Sequence, residues 1–300
     1  MEIDTVGIVS PGDMGHAVGA VLRQHGLRVI TNLQGRSSRS ATLAKGAGMV
    51  DVASDETLVR ESDILLSILP PARAYEFAER IAAVVRKTDT TLLFADCNAI
   101  APRTAQAIDK LLTESGASFV DVGIIGNPPQ IGKQGPRLYA SGPRAAAVAS
   151  LNTYGLDVRV LGAQSGQASG LKMCYASLTK GLTALATEAL VAARAQGLQD
   201  ALITEFQSLP FFNTIERMVP GMPPKAYRWI GEMEEIARTF SDLGLPPQMP
   251  HGAASLYRFI EGTELGKETP EQRQRGQTLE DVIAILAAAL AEQTKDDQSE

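Results

Sequence analysis

Residues 8–17 read IVSPGDMGHA, and how they are read decides the fold. Apolar Val6, Ile8 and Val9 give way to Gly12-Asp13-Met14-Gly15, after which Ala17, Val18, Val21 and Leu22 recur at helical spacing. A strand, a glycine turn and a helix in that order match the dinucleotide fingerprint G-x-G-x-x-G, except that Ser10 stands where the first glycine belongs. Gly12 would let a pyrophosphate approach backbone N–H groups at the helix start, and Gly15 would let helix and strand pack closely. The first glycine mainly makes the tight turn, which serine before Pro11 also manages. On its own the stretch is either a nucleotide turn contributed by Ser10, Pro11, Gly12, Asp13, Met14 and Gly15 or an ordinary glycine-rich bend.

The surrounding chain raises the first reading. Strand-like segments at 5–9, 28–32, 64–68, 91–96, 118–123, 137–141 and 158–161 are separated by helical stretches at 15–25, 73–85, 102–114 and 145–151. This alternation predicts βαβ units and a mostly parallel sheet. From residue 166 onward strand signals nearly vanish. Helices are predicted at 170–195, 225–243, 251–262 and 278–292, and TKDDQSE at 294–300 as a frayed tail. The fold class is therefore α/β, a doubly wound Rossmann sheet over 1–163, followed by an all-α domain over 164–300.

About twenty residues beyond the turn, NAD-binding sheets place an acid on the ribose hydroxyls. Here that place holds Asn32, followed by LQGRSSRS, and no acidic residue occurs between Asp13 and Asp51. A short basic-serine run is commonly a solvated turn. At the end of the second strand, however, Arg36, Ser37 and Arg39 have the chemistry of a 2′-phosphate site. NADP is favoured over NAD.

Composition excludes several other classes. The chain has 300 residues, 44% hydrophobic and 21% charged, and a net charge of −6, so no global basic field is available to hold a nucleic acid. Two separated cysteines, Cys97 and Cys174, form neither a disulfide framework nor a zinc pattern, and no metal site is expected. No signal-peptide pattern opens the chain and no apolar run suggests a membrane span. The expectation is a soluble cytoplasmic protein acting on a small molecule, without a membrane partner.

Four stretches in order carry a resemblance: GIVSPGDMG at 7–15, LSILP at 66–70, DCNAIAP at 96–102 and GLKMCYA at 170–176. They resemble the landmarks of the β-hydroxyacid dehydrogenases, the group that includes 3-hydroxyisobutyrate and 6-phosphogluconate dehydrogenases. RWIGEMEEIA at 228–237 is similar to a less-studied branch of NADP-binding oxidoreductases. The resemblance implies hydride transfer between nicotinamide and a hydroxy acid or related alcohol, or its carbonyl counterpart. It also implies a homodimer joined through the helical domain. It assigns Leu69, Pro70 and Asn98 to the cofactor, Asn98, Gly126 and Asn127 to the substrate, and Lys172 to general acid–base catalysis. Tyr175, three residues on and on the same helix face as Lys172, is a further substrate-binding candidate.

The departures narrow that implication. The family's Ser-Thr loop is Asn98-Ala99, its Ser-Gly-Gly is Ile125-Gly126-Asn127, and the asparagine four residues after the lysine is Ala176. Three changes in one pocket argue against a standard small 3-hydroxyacid. Read without the family, Lys172 is a snorkelling lysine and Tyr175 a core aromatic. For Arg228 the simplest reading is an i,i+4 ion pair with Glu232. An imine reductase and a non-catalytic NADP-binding protein are the alternatives, the former disfavoured because such reductases often replace the lysine.

Overall fold

A computed structural model describes residues 3–130 and 133–297. They divide after Met173 into two compact units. In chain order the first contains β1 (Thr5–Val9), α1 (Asp13–Gln24), β2 (Arg28–Thr31), α2 (Ser38–Gly46), β3 (Val50–Asp51), α3 (Asp55–Glu61) and β4 (Ile64–Ser67). It continues with α4 (Ala74–Thr88), β5 (Leu93–Asp96), α5 (Pro102–Thr113), β6 (Ser118–Ile125), β7 (Arg137–Ser141), α6 (Ala145–Ala149), β8 (Asp157–Gly162) and the start of α7 (Gln167–Ala195). The strands form one sheet in the order β3-β2-β1-β4-β5-β6-β7-β8. All neighbours are parallel except β6 and β7.

Strands buried on both faces need apolar residues at nearly every position, and β4 (ILLS) and β5 (LFAD) are buried throughout. Their alternating side chains serve two cores. Val6, Ile8, Ile64 and Leu66 pack with Val18 and Leu22 of α1, Ala44 of α2 and Val148 of α6. Val9, Ile30, Leu65 and Phe94 pack with Leu58 of α3, Phe77 and Ile81 of α4 and Ile108 of α5. This is the doubly wound arrangement expected from the sequence. Its order reverses between β1 and β4, so the ligand crevice of such sheets lies at their carboxyl ends.

The differences from the sequence reading are local. The serine-arginine run at 37–40 is not an open loop: Ser37 caps α2, its Oγ accepting from Ser40 N at 3.2 Å. That helix, α3 and the two-residue β3 escape a periodicity reading because they are short and polar; α2 buries only Ala44. The first unit also extends past residue 163, because the opening turns of α7 pack on β6 (below).

In the second unit, α7 is followed by α8 (Gln199–Gln207), α9 (Phe212–Met218), α10 (Ala226–Asp242), α11 (Gln248–Gly262) and α12 (Leu279–Asp297). Trp229 of α10 meets Tyr257 of α11 edge-on at 5.3 Å. Tyr257 Oη donates to the Lys180 carbonyl at 2.6 Å, and burial beside Glu232 pushes the phenol upward. Lys180 and Glu232 form a buried ion pair at 2.8 Å, with the ammonium 5.1 Å from the Trp229 ring. The Glu232 carboxylate thus has Lys180 of α7 as a partner. The helix α12 runs to Asp297, past the expected end at Glu292; residues 298–300 of the expected tail lie outside the described residues. No helix among the described residues is long and apolar enough to cross a membrane.

Candidate cofactor and proton-transfer site

The glycine turn joins β1 to α1, and its two glycines serve different needs. A Cβ on Gly15 would lie 2.0 Å from the Ser10 carbonyl oxygen, so only glycine lets the helix start beneath the strand end. A Cβ on Gly12 would meet nothing closer than Ser10 Oγ at 3.9 Å, and Gly12 has ordinary negative φ. Internal packing therefore gives no reason for glycine at 12. Gly12, at the N-cap of α1, brings no side-chain acceptor to the helix start, which is the place a pyrophosphate cradle uses. Ser10 N donates to Ile68 O at 2.9 Å, tying the turn to the end of β4. His16 donates from Nδ1 to Gly12 O at 2.7 Å. Pro11 is buried, and Asp13 and Met14 are half-buried in the first helical turn.

At the end of β2, Asn32 is 9% exposed and its carboxamide is engaged on both sides. Its Oδ1 accepts from Gln34 N at 2.9 Å and its Nδ2 donates to Asp55 Oδ1 at 2.8 Å. Asp51 Oδ1 accepts from Leu33 N at 3.0 Å. Carboxylates therefore do reach this strand end, from β3 and α3. Arg36 is half-buried, and its pKa is lowered by burial and then by the charge of Arg80. Arg39, expected beside it as a phosphate ligand, turns to the first turn of α1 and pairs with Asp13. A carboxylate next to a helix start is a stronger local partner for it than solvent.

The ends of β4 and β5 are knitted by Asn98. Its Nδ2 donates to Ser67 Oγ at 3.0 Å and to Asp96 Oδ2 at 2.8 Å, while its Oδ1 accepts from Leu69 N. Asn98 is 3% exposed, so its observed work is to fix the Leu69-Pro70 segment. Asp96 is fully buried, and desolvation pushes it up to about 7. Burial also raises the neighbouring Cys97 thiol, which keeps it protonated and unreactive.

Beyond β5, the start of α7 lies on β6. A Cβ on Gly123 would fall 2.6 Å from Ala168 O and 3.2 Å from Lys172 Cβ, so glycine permits this close contact. Buried Asp121 anchors the helix start. Its Oδ1 accepts from Ser169 Oγ at 2.6 Å; its Oδ2 accepts from Gly166 N at 2.9 Å, Ser169 N at 3.0 Å and Ser141 Oγ at 3.0 Å. Burial raises its pKa against the opposing pull of those donors. So held, half-buried Lys172 extends its ammonium to donate to the carbonyl of Ile124, near the carboxyl end of β6.

The glycine turn, Asn32, Leu69-Pro70, Asn98 and Gly126-Asn127 thus follow the carboxyl ends of β1, β2, β4, β5 and β6 respectively. Residues 5–153 match the NAD binding domain of 6-phosphogluconate dehydrogenase, and residues 193–260 match a domain of unknown function. The N-terminal half of the chain is thus an NAD-binding domain of the 6-phosphogluconate dehydrogenase type. An uncharacterised 28.5 kDa protein of Methanothermus fervidus is 27% identical over 259 residues, covering 85% of this chain and 98% of its own. The solved conserved protein MTH1747, of unknown function and described as structurally similar to 3-hydroxyacid dehydrogenases, is 28% identical. The match covers 86% of this chain and 96% of that one, with a TM-score of 0.63. The 3-hydroxyisobutyrate dehydrogenase of Mycobacterium tuberculosis shares the fold at 17% identity and TM-score 0.68, with coverages of 96% and 99%.

Sequence reasoning named the turn, the two loops and the lysine as candidates but not the residues that support them. Asp121 is a lone acid in the apolar strand SFVDVGII, a pattern that marks a buried, fully partnered carboxylate. Asp55 carries no such signal, because α3 is polar throughout its exposed side. Gly126 and Asn127 are exposed; Gly126 adopts φ 131°, which favours glycine, against Pro136. Tyr175 belongs to the second unit and is 46% exposed.

Proposed function

We propose that the protein is an NADP-dependent oxidoreductase that interconverts a hydroxy compound, a hydroxy acid or related alcohol, and its carbonyl counterpart. The observation that carries this reading is the arrival of the Lys172 ammonium at the Ile124 carbonyl, on the same sheet edge as the glycine turn. When bound, the nicotinamide accepts or supplies the hydride. The N-terminus of α1 and Gly12 hold the pyrophosphate, with Ser10 Oγ as an additional donor. Arg36 and the cap of α2 at Ser37 face the adenosine end. The Leu69-Pro70 segment, fixed by Asn98, gives the nicotinamide an immobile wall. Lys172 Nζ takes the hydroxyl proton during oxidation and returns it during reduction.

The test is a substrate panel of hydroxy acids, hydroxy aldehydes, aryl alcohols and cyclic imines, run with NADP(H). With any substrate turned over, Lys172→Ala and Lys172→Arg should each lower turnover by ~10²–10⁴ while NADPH affinity stays nearly unchanged. Arginine keeps the charge but does not release a proton at neutral pH. The rising limb of the pH profile for oxidation should vanish in both variants. A Lys172→Arg enzyme retaining most of the wild-type rate would remove the lysine from proton transfer.

A further inference from the structure

The strand end that receives the adenosine ribose carries a network that the fingerprint does not contain. Asp55, at the start of α3, uses one carboxylate oxygen to accept from Asn32 Nδ2 and the other to accept from Arg80 Nε at 2.6 Å. Arg80 projects from α4, and its guanidinium lies 5.1 Å from the centre of the Phe77 ring. The guanidinium is thus fixed from two sides, one of them linked through a single carboxylate to the residue at the ribose position. The Asp55 side chain is only 16% exposed while that of Arg80 is 49% exposed, so the anion is covered and the cation is presented. Half-buried Arg36 feels the charge of Arg80, and more weakly that of Arg73, which agrees with convergence of cations here.

A surface pair that merely joined α3 to α4 would contribute little to stability and would have no reason to reach Asn32. An acid serving the ribose hydroxyls, as in NAD enzymes, would keep its oxygens open to them. Both Asp55 oxygens are instead engaged by protein donors. We propose that Arg80, together with Arg36, recognises the adenosine 2′-phosphate, and that Asp55 is a positioning residue that holds Arg80 there instead of binding the ribose. A planar guanidinium fixed through Nε still has N–H groups on its terminal nitrogens for a phosphate oxygen. This inference rests on the NADP reading above and names a contact outside the glycine fingerprint and the loop after β2.

Calorimetric titration of the full-length protein with NADP⁺ and with NAD⁺ separates the possibilities without requiring a substrate. The wild type should bind NADP⁺ more tightly. Arg80→Gln should weaken NADP⁺ by roughly tenfold or more and leave NAD⁺ within twofold, the retained NAD⁺ binding serving as the control for folding. Asp55→Asn should leave NAD⁺ affinity within twofold. A wild type that prefers NADP⁺ and keeps that preference in Arg80→Gln overturns this inference alone. Equal weakening of both nucleotides in Arg80→Gln also overturns it, as does selective loss of NAD⁺ binding in Asp55→Asn, which would make Asp55 a ribose ligand. Equal or inverted preference in the wild type overturns the NADP reading itself.

Discussion

Gly12 and Gly15 lie three residues apart, yet substitutions at them should fail in different ways. At Gly15 a methyl group meets the Ser10 carbonyl, an unyielding piece of backbone, so Gly15→Ala should cost at least ~1–3 kcal/mol by overpacking. Its denaturation midpoint should fall together with nucleotide affinity. At Gly12 a side chain points into open space, so Gly12→Val should cost at most about 1 kcal/mol as a poorer N-cap. That same variant should lose NADPH binding, because its methyl groups would occupy the pyrophosphate space. Denaturant unfolding and NADPH fluorescence titration of the two variants provide the check. A stable Gly12→Val protein that binds NADPH normally would reduce the turn to a structural bend. Ser10→Gly should alter affinity only a few-fold, since the serine makes the turn through its backbone.

At the scale of elements, the start of α7 depends on one buried carboxylate. Its four donors comprise two backbone N–H groups and two serine hydroxyls. In Asp121→Asn a carboxamide N–H would face some of those donors, leaving buried groups without acceptors. The expected loss is ~2–4 kcal/mol in guanidinium unfolding. Ser141→Ala, which removes one donor to Asp121 and one acceptor for Ala168 N, should cost about 1–2 kcal/mol. Equal stability of Asp121→Asn and wild type would show that the helix start is held by packing alone. These supports also mark the limit of what the sequence disclosed. The strands at Thr5–Val9 and Arg137–Ser141 and the long helices were legible because apolar periodicity is a local signal. Asn32, Asn98 and Lys172 were legible as candidates because motif spacing is local too. The partners of these residues were not. Asp55 lies twenty-three positions from Asn32, and Ser169 forty-eight from Asp121, contacts created only when the sheet assembles. The serine-arginine run was read as a loop because its helix has almost no buried face.

For the molecule as a whole, buried carboxylates set the response to pH. Asp96 ordinarily titrates near 3.8 and is pushed to about 7 by burial, and Asp121 shifts in the same direction. Between those two values the folded protein binds more protons at Asp96 than the unfolded chain, so stability falls as pH rises across that interval. Glu56, Asp157 and Glu268 are shifted downward by their basic or N–H partners and act oppositely in acid. Stability should therefore fall as pH rises from about 5 to about 7, and that decline should be shallower in Asp96→Asn. Denaturant midpoints across that range measure both slopes, and identical slopes would remove Asp96 as the titrating group. The Asp121 anchor has one further consequence, for lineage. Its donors come from stretches around 141 and 166–169, which a changing sequence alters independently. Loss of the acid would strand every donor, whereas loss of one serine would strand only part of the set. Among descendants of a common ancestor, the acid should therefore be the last of the group to drift, and a single serine should be lost before it.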